Sequence, residues 1–357
     1  DKICYIILAQ GRSVERTAQE IAHRRVMKVR FKGLAFLAAF ILLGAATGAS
    51  DAVESYRLSN QLPPSHHISK GMDLFAEKVK EYSKGEIEIK VLHSAQLFSD
   101  AEIVEALQNG LVELGVVPVN KWSGMIPAAD IFEMPFVFAD LSSPEKFFKA
   151  GGGKLLDEAF QEMGAKVVFW VDYGFVQFFN NVRPLRKPED FKGLKIRAFS
   201  KGSADSIEAL GGSPVVISSS EMYMALQRRT IDGVTTGMPA AVSRKLHEVL
   251  KYMTLCNYST AQFMVQANLP WWEKLPESTK EVLLKAGNDA EEWIRSAIAD
   301  SENEAQRFLE EYGLQITTLT PEEHKAFADA TMKVRETFLQ QSGSLGKQLL
   351  DIALSIR

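Results

Sequence analysis

Between Tyr56 and Val117 the chain switches repeatedly between two hydrophobic periods, and that switching restricts its fold more than any other feature. Tyr56-Arg57-Leu58-Ser59 reads as a strand, stopped by Pro63-Pro64-Ser65. Met72, Phe75, Ala76 and Val79 recur at helical spacing, and Gly85 closes that helix. Ile87-Glu88-Ile89-Lys90-Val91 alternates strictly and predicts a second strand. Ile103, Val104, Leu107 and Leu111 mark another helix, and Leu114-Gly115-Val116-Val117 a third, buried strand. Strand, helix, strand, helix, strand implies right-handed crossovers and a largely parallel sheet.

A second α/β unit follows. Lys166–Val171 and Phe175–Asn180 are strand candidates, as is Leu194–Ala198. Ala204–Leu210 is helical and stopped by Gly211-Gly212; Pro214–Ile217 is extended; Glu221–Gln227 is helical; Ile231–Thr235 is extended. From Pro276 to Glu311 the apolar residues Val282, Leu283, Ala286, Ala290, Trp293, Ile294, Ile298 and Ala305 share one side of a long helix. Such a helix either kinks or spans both units. Thr320-Pro321-Glu322-Glu323 is a capping box opening a last helical region.

Charge is divided unevenly. Residues 1–50 carry a net +5 and the remaining residues a net -9, within a total of -4. An acidic mature chain does not favour a nucleic-acid surface. Two cysteines, Cys4 and Cys256, exclude a disulfide scaffold and a thiolate metal centre. The six histidines are scattered.

Basic Lys28-Val29-Arg30-Phe31-Lys32 precedes the apolar run Leu34–Ala46 and the small residues Thr47-Gly48-Ala49-Ser50. These are the three parts of a secretory signal peptide. An apolar run of that length spans about 20 Å as a helix, short of a hydrocarbon core of roughly 30 Å. The reading places the start at Met27, with an upstream extension before it, and cleavage near Ala49 or Ser50.

Arg183–Arg197, with Pro188-Glu189-Asp190-Phe191-Lys192-Gly193 inside it, is followed in order by Ala209–Pro214, Glu221–Gln227, Ile231-Asp232-Gly233, Lys251-Tyr252 and Trp271–Pro276. On these ordered segments the chain resembles the solute-binding subunits of tripartite ATP-independent periplasmic (TRAP) transporters, of the dicarboxylate-binding (DctP) type, over about residues 55 to 340. The resemblance implies a two-lobed α/β binding-protein fold with mixed or parallel sheets, an interlobe cleft and a long C-terminal helix. It divides the chain into 1–50 as extension and leader, 51–176 as mainly lobe 1, 177–270 as mainly lobe 2, and 271–357 as helices across both. It implies a periplasmic receptor that binds a small organic acid, passes it to an integral membrane permease, and performs no chemistry. No cofactor or metal is implied. A homodimer through the long helix is one option; packing of that helix on its own core explains the same pattern.

By resemblance, Arg197 anchors the ligand carboxylate, a role suited to a planar guanidinium. A second basic residue, expected after the turn at Gly174, is replaced by Val176 and Gln177. That departure suggests a monocarboxylate or an acid with an apolar body, lined by Val176 and bonded by the Gln177 amide. The alternative is a dicarboxylate whose second contact comes from elsewhere. Thr236 stands where relatives often have asparagine. Trp122, Tyr173, Phe199 and Tyr223 lie near cleft-facing strand ends, Trp122 foremost because it follows the third strand. His66 is a candidate cleft residue, with a solvated helix start as its alternative. Asp100 reads as a helix-start acid, and Arg244 as part of the charged run around His247. Two other functions compete: a ligand-sensing receptor module, and a cell-envelope α/β enzyme acting on a carboxylic acid. Turnover of the bound acid separates the enzyme from a receptor.

Overall fold

The computed structural model describes residues 53–356 apart from Ala139. The leader, Met27 and Cys4 lie outside the described residues. Strands β1 (Glu54–Ser59), β2 (Ile87–Leu92) and β3 (Leu114–Pro118) alternate with helices α1 (His67–Tyr82) and α2 (Ile103–Gln108). Both β1–β2 and β1–β3 pair in parallel, as the crossover argument requires. After β3 come two 3₁₀ turns, Val119–Trp122 and Pro127–Glu133, and helices α3 (Ser143–Lys149) and α4 (Gly152–Glu162).

Strand β4 (Ala165–Asn180) fuses the two strand candidates of this region into one. Its partner β8 (Tyr252–Asn268) is one residue longer, and the two run antiparallel with three register shifts. Between them lie β5 (Lys195–Ala198), α5 (Lys201–Ala209), β6 (Ser213–Val216), α6 (Met222–Gln227), β7 (Gly233–Thr236) and α7 (Met238–Ser243). The chain ends with α8 (Leu269–Lys274), α9 (Glu277–Tyr312), β9 (Gln315–Thr318), α10 (Pro321–Ala330) and α11 (Met332–Ser355), the last broken at Gly343.

The sheet order is β2-β1-β3-β8-β4-β7-β5-β6, with β9 on β8. Hence β1, β2 and β3 build one lobe and β5, β6 and β7 the other, while β4 and β8 run through both. The expected division at 176/177 falls inside β4. The sheet is mixed rather than largely parallel, because the β3–β8, β8–β4 and β4–β7 pairs are antiparallel while β8–β9 is parallel. Helix α9 is continuous over 36 residues and buries Leu283, Ala286, Ala290, Ile294, Ile298 and Leu309 along one side. That stripe faces α1 and β4 and reaches α7, so the helix braces both lobes. Separate apolar clusters fill each lobe: Trp122, Phe132, Phe147 and Phe160 in the first, Leu226, Ile231, Val234 and Met253 in the second.

Candidate ligand cleft

A cavity lies where the lobes meet. Strand β5 supplies its central cation. Arg197 pairs in register with Val215 of β6 and Val234 of β7, so its backbone is fixed on both sides. Its Nε donates to the Ile217 carbonyl at 3.1 Å and its Nη1 to the Thr235 carbonyl at 3.0 Å. Among the described residues Nη2 has no hydrogen-bond partner, and it is the edge left for a ligand. Two residues on, Phe199 lies on the same side, its ring centroid 5.3 Å from the Arg197 Cζ. Burial lowers the Arg197 pKa and Asp100 pulls it back up; a guanidinium stays charged throughout.

The first lobe contributes Asp100 and Lys121, paired at 2.7 Å. Lys121 also donates to the Phe199 carbonyl at 3.1 Å, and Asp100 accepts the Ser219 backbone N–H at 3.0 Å. Both contacts cross from one lobe to the other, so the cleft is closed. Burial alone would raise the Asp100 pKa. Lys121, Arg197 and the Ser218 hydroxyl outweigh it and hold the carboxylate well below its usual range.

Thr236, at the end of β7, bonds its hydroxyl to the Tyr173 hydroxyl at 3.0 Å, and the Gly237 N–H donates to the same phenol at 3.2 Å. Val176 of β4, Ala261 and Phe263 of β8, and Leu62 and Met222 give the remaining wall an apolar surface.

Of the residues singled out in the sequence, the cavity brings together Arg197, Thr236, Val176 and Phe199, with Tyr173 beside them. It does not include Gln177, Trp122, Tyr223 or His66, and each has a physical reason. Gln177 follows Val176 on a strand and therefore faces the other way. Its Oε1 accepts the backbone N–H groups of Cys256 and Asn257, both at 2.9 Å, which the register shift in β8 leaves without strand partners. Trp122 ends a 3₁₀ turn that swings its ring into the first lobe's core. There its Nε1 donates to Gln266 at 2.9 Å, and Asn120 and Lys121 line the cavity instead. Tyr223 is half-buried on the outer side of α6 and donates to Glu248 at 2.8 Å; Met222 takes the inward position.

His66 is one ring away from the cavity. It caps α1 by accepting the Ile68 N–H at 3.2 Å, and it stacks on Tyr173 with centroids 5.5 Å apart. It is 1 % exposed rather than solvated. Burial, with the charges of Arg244 and Lys70 nearby, depresses its pKa well below the usual histidine value.

Sequence reasoning missed Gln61, Asp100, Lys121, Ser219 and Arg244. Lys121, flanked by Asn120 beyond the third strand, carried a signal that the neighbouring tryptophan obscured. Asp100 and Arg244 reach the cavity through tertiary packing, which no local pattern announces. Among the described residues no group of three or more His, Cys, Asp or Glu side chains could hold a metal ion.

Residues 58–341 match the family model described as bacterial extracellular solute-binding protein, family 7 (DctP). The C4-dicarboxylate-binding periplasmic protein DctP of Rhodobacter capsulatus is 29 % identical over 293 residues, covering 81 % of this chain and 87 % of that protein. A TRAP periplasmic solute-binding protein from Sulfurospirillum deleyianum, solved with bound succinate, superposes with a TM-score of 0.82 at 27 % identity, covering 86 % of this chain and all of the other. The sugar acid-binding protein of Advenella mimigardefordensis, solved with galactonate, has the same fold at 22 % identity, with a TM-score of 0.83 and coverage of 86 % and 100 %.

Proposed function

The chain belongs to the DctP family of TRAP-transporter periplasmic solute-binding proteins, and from that premise we propose that its cleft holds an organic acid by the Arg197 guanidinium and delivers it unchanged to a TRAP permease. As in the rest of the family, the protein is an extracytoplasmic receptor for a small organic acid. The observation that carries the proposal is the free edge of Arg197. Two backbone carbonyls orient the guanidinium, and Nη2 remains unbonded beside a closed, largely apolar cavity. A carboxylate there forms a charge-assisted contact in a place where water competes weakly.

Closure is the step that turns binding into a signal for the permease. A ligand that touches Arg197 on one lobe and the Lys121 side of the other stabilises the closed form by its differential affinity for that form. The family match over residues 58–341 supports a receptor over an envelope enzyme. The apolar run Leu34–Ala46 acts as the export leader and is removed near Ala49 or Ser50.

The test is a binding titration of wild type and Arg197→Ala against a panel of mono- and dicarboxylates. Affinity falls more than tenfold in the variant, about 1.4 kcal/mol or more. Equal affinity removes Arg197 from the anchoring role.

A further inference from the structure

Asp130 lies in the 3₁₀ turn Pro127–Glu133 of the first lobe, and its Oδ2 accepts the N–H of Gly202, in the first turn of α5 of the second lobe, at 2.9 Å. Like the Asp100 contacts, this bond crosses the lobe boundary. The approach is close: a methyl group on Gly202 would lie 3.1 Å from the Glu133 Cβ and 3.2 Å from the Asp130 Cγ. Three residues apart in a 3₁₀ turn, Asp130 and Glu133 share one face. They are 6 % and 1 % exposed. The Glu133 Oε1 accepts the Asn120 amide at 2.8 Å, while Asp130 Oδ1 and Glu133 Oε2 have no hydrogen-bond partner among the described residues.

Asp100 has a lysine at 2.7 Å, but Asp130 has no ion-pair partner among the described residues. On α5, Lys201 pairs with Asp205 at 2.7 Å, and their charges act on Asp130 in opposite senses. Arg197 of β5 and the Tyr258 phenol of β8 face Glu133, and α11 presents Val334, Phe338 and Gln341 to the cavity beside Asp130. Two buried carboxyl groups on one face, bonded to amides alone, do not both ionise. Burial pushes Asp130 up to about 7, against the Gly202 N–H and the Ser200 hydroxyl, and burial with the Asp130 charge pushes Glu133 well above the usual range. Parting the lobes takes Gly202 away from Asp130, admits water and returns the carboxyl toward its ordinary value of 3.8.

We propose that closing the cleft transfers a proton from solvent to Asp130, so that the receptor closes on its ligand more readily as the medium becomes more acidic. The inference builds on the receptor reading of the cleft and not on which acid the cleft holds. The proton's contribution to closure is complete below pH 3.8 and is lost as pH rises through about 7. Asp130 does not line the ligand cavity, so it is a positioning residue that acts through the lobes. The two carboxylates at the boundary thus differ: Asp100 is held charged by Lys121, and Asp130 is neutralised on closing.

The experiment is isothermal titration of wild type and Asp130→Asn with succinate and galactonate, in buffers of different ionisation enthalpy, which counts the protons taken up. Wild type is expected to gain about 0.8 proton at pH 6.5 and about 0.1 at pH 8, and to bind about tenfold more weakly at pH 8 than at pH 6. Asparagine keeps an acceptor for Gly202 and has no proton to lose. Asp130→Asn therefore lacks this uptake and binds at pH 8 at least as tightly as wild type. Titration of the acid itself and of His66, His67 and Glu302 is common to both proteins and cancels in the comparison. Equal proton counts in the two proteins would overturn the inference. So would a variant weaker than wild type at every pH, which reduces Asp130 to a structural contact. If neither acid binds, small-angle scattering without ligand decides: wild type is expected to be more compact at pH 5.5 than at pH 8, and Asp130→Asn equally compact at both. A wild-type profile that does not change overturns the inference. Failure of the Arg197 anchor shows separately, as equal affinity in Arg197→Ala with the proton count intact.

Discussion

Asp100 Oδ1 accepts the Ser219 backbone N–H at 3.0 Å, and Oδ2 holds Lys121 at 2.7 Å. One buried carboxylate therefore joins the helix-start segment of the first lobe to the Ser218–Ser219 loop of the second. The Ser218 hydroxyl donates to the same Oδ1 atom at 2.5 Å. This is a clasp across the cleft, assembled from a residue whose position before α2 suggested only a helix-dipole role.

Removing that carboxylate tests the clasp. Asp100→Ala leaves Lys121 buried without its partner and takes the acceptor away from Ser218 and Ser219. The variant is expected to bind its acid about tenfold more weakly, ~1.4 kcal/mol, and to stay more open by small-angle scattering at a ligand concentration that closes wild type. Because the Asp100 pKa lies far below the usual carboxylate range, the clasp stays charged and its contribution to binding is flat from about pH 5 to 8.

Gly174 sits at a register shift between β4 and β8. Its φ is +108°, and a methyl group there would collide with the Glu302 carboxyl. Gly174→Ala therefore meets both backbone strain and a clash. It is expected to destabilise the fold by about 2 kcal/mol or more, read as a lowered midpoint in urea.

Glu302 itself makes stability depend on pH. Burial drives its pKa up to about 8, against the partial opposition of the Phe175 N–H, which its Oε1 accepts at 3.2 Å. The folded state thus favours the protonated carboxyl. Its stabilising contribution is complete below the ordinary value of 4.5 and is lost as pH rises through about 8. Glu302→Gln keeps an acceptor for Phe175 and has no proton to lose. The melting temperature of the variant relative to wild type is expected to rise steadily between pH 5 and pH 8.5. A constant difference across that range contradicts a protonated Glu302.

Gln177 offers the opposite kind of test, a buried polar group outside the cleft. Gln177→Leu strands the N–H groups of Cys256 and Asn257. The cost is expected to be about 1–3 kcal/mol of stability, with ligand affinity of the folded protein changed less than threefold.

The α/β alternation was legible because local period and local structure agree: β1, α1, β2 and β3 lie where the pattern puts them, and α9 runs along its apolar stripe. Strand β8 was not legible. Its residues are buried on both faces and interrupted by register shifts, so Tyr252–Asn268 shows no two-residue alternation. The site divides in the same way. Arg197 was singled out through the family resemblance, and Phe199, two residues on and just past the end of β5, follows it to the same side. Val176 and Gln177 are adjacent, and only strand pairing decides which one faces the cleft. Arg244 lies 47 positions after Arg197 in the sequence, in a charged run that resembles a solvated surface. Its role is set by α7 packing at the lobe boundary, a long-range fact that a local pattern does not carry.

The most direct test of the central claim is native mass spectrometry of the receptor from about residue 51, with the released small molecules identified from the same sample. The account predicts one organic acid per receptor, recovered chemically unchanged and absent from Arg197→Ala. Recovery of a converted product, or equal occupancy of the Arg197→Ala protein, would contradict it.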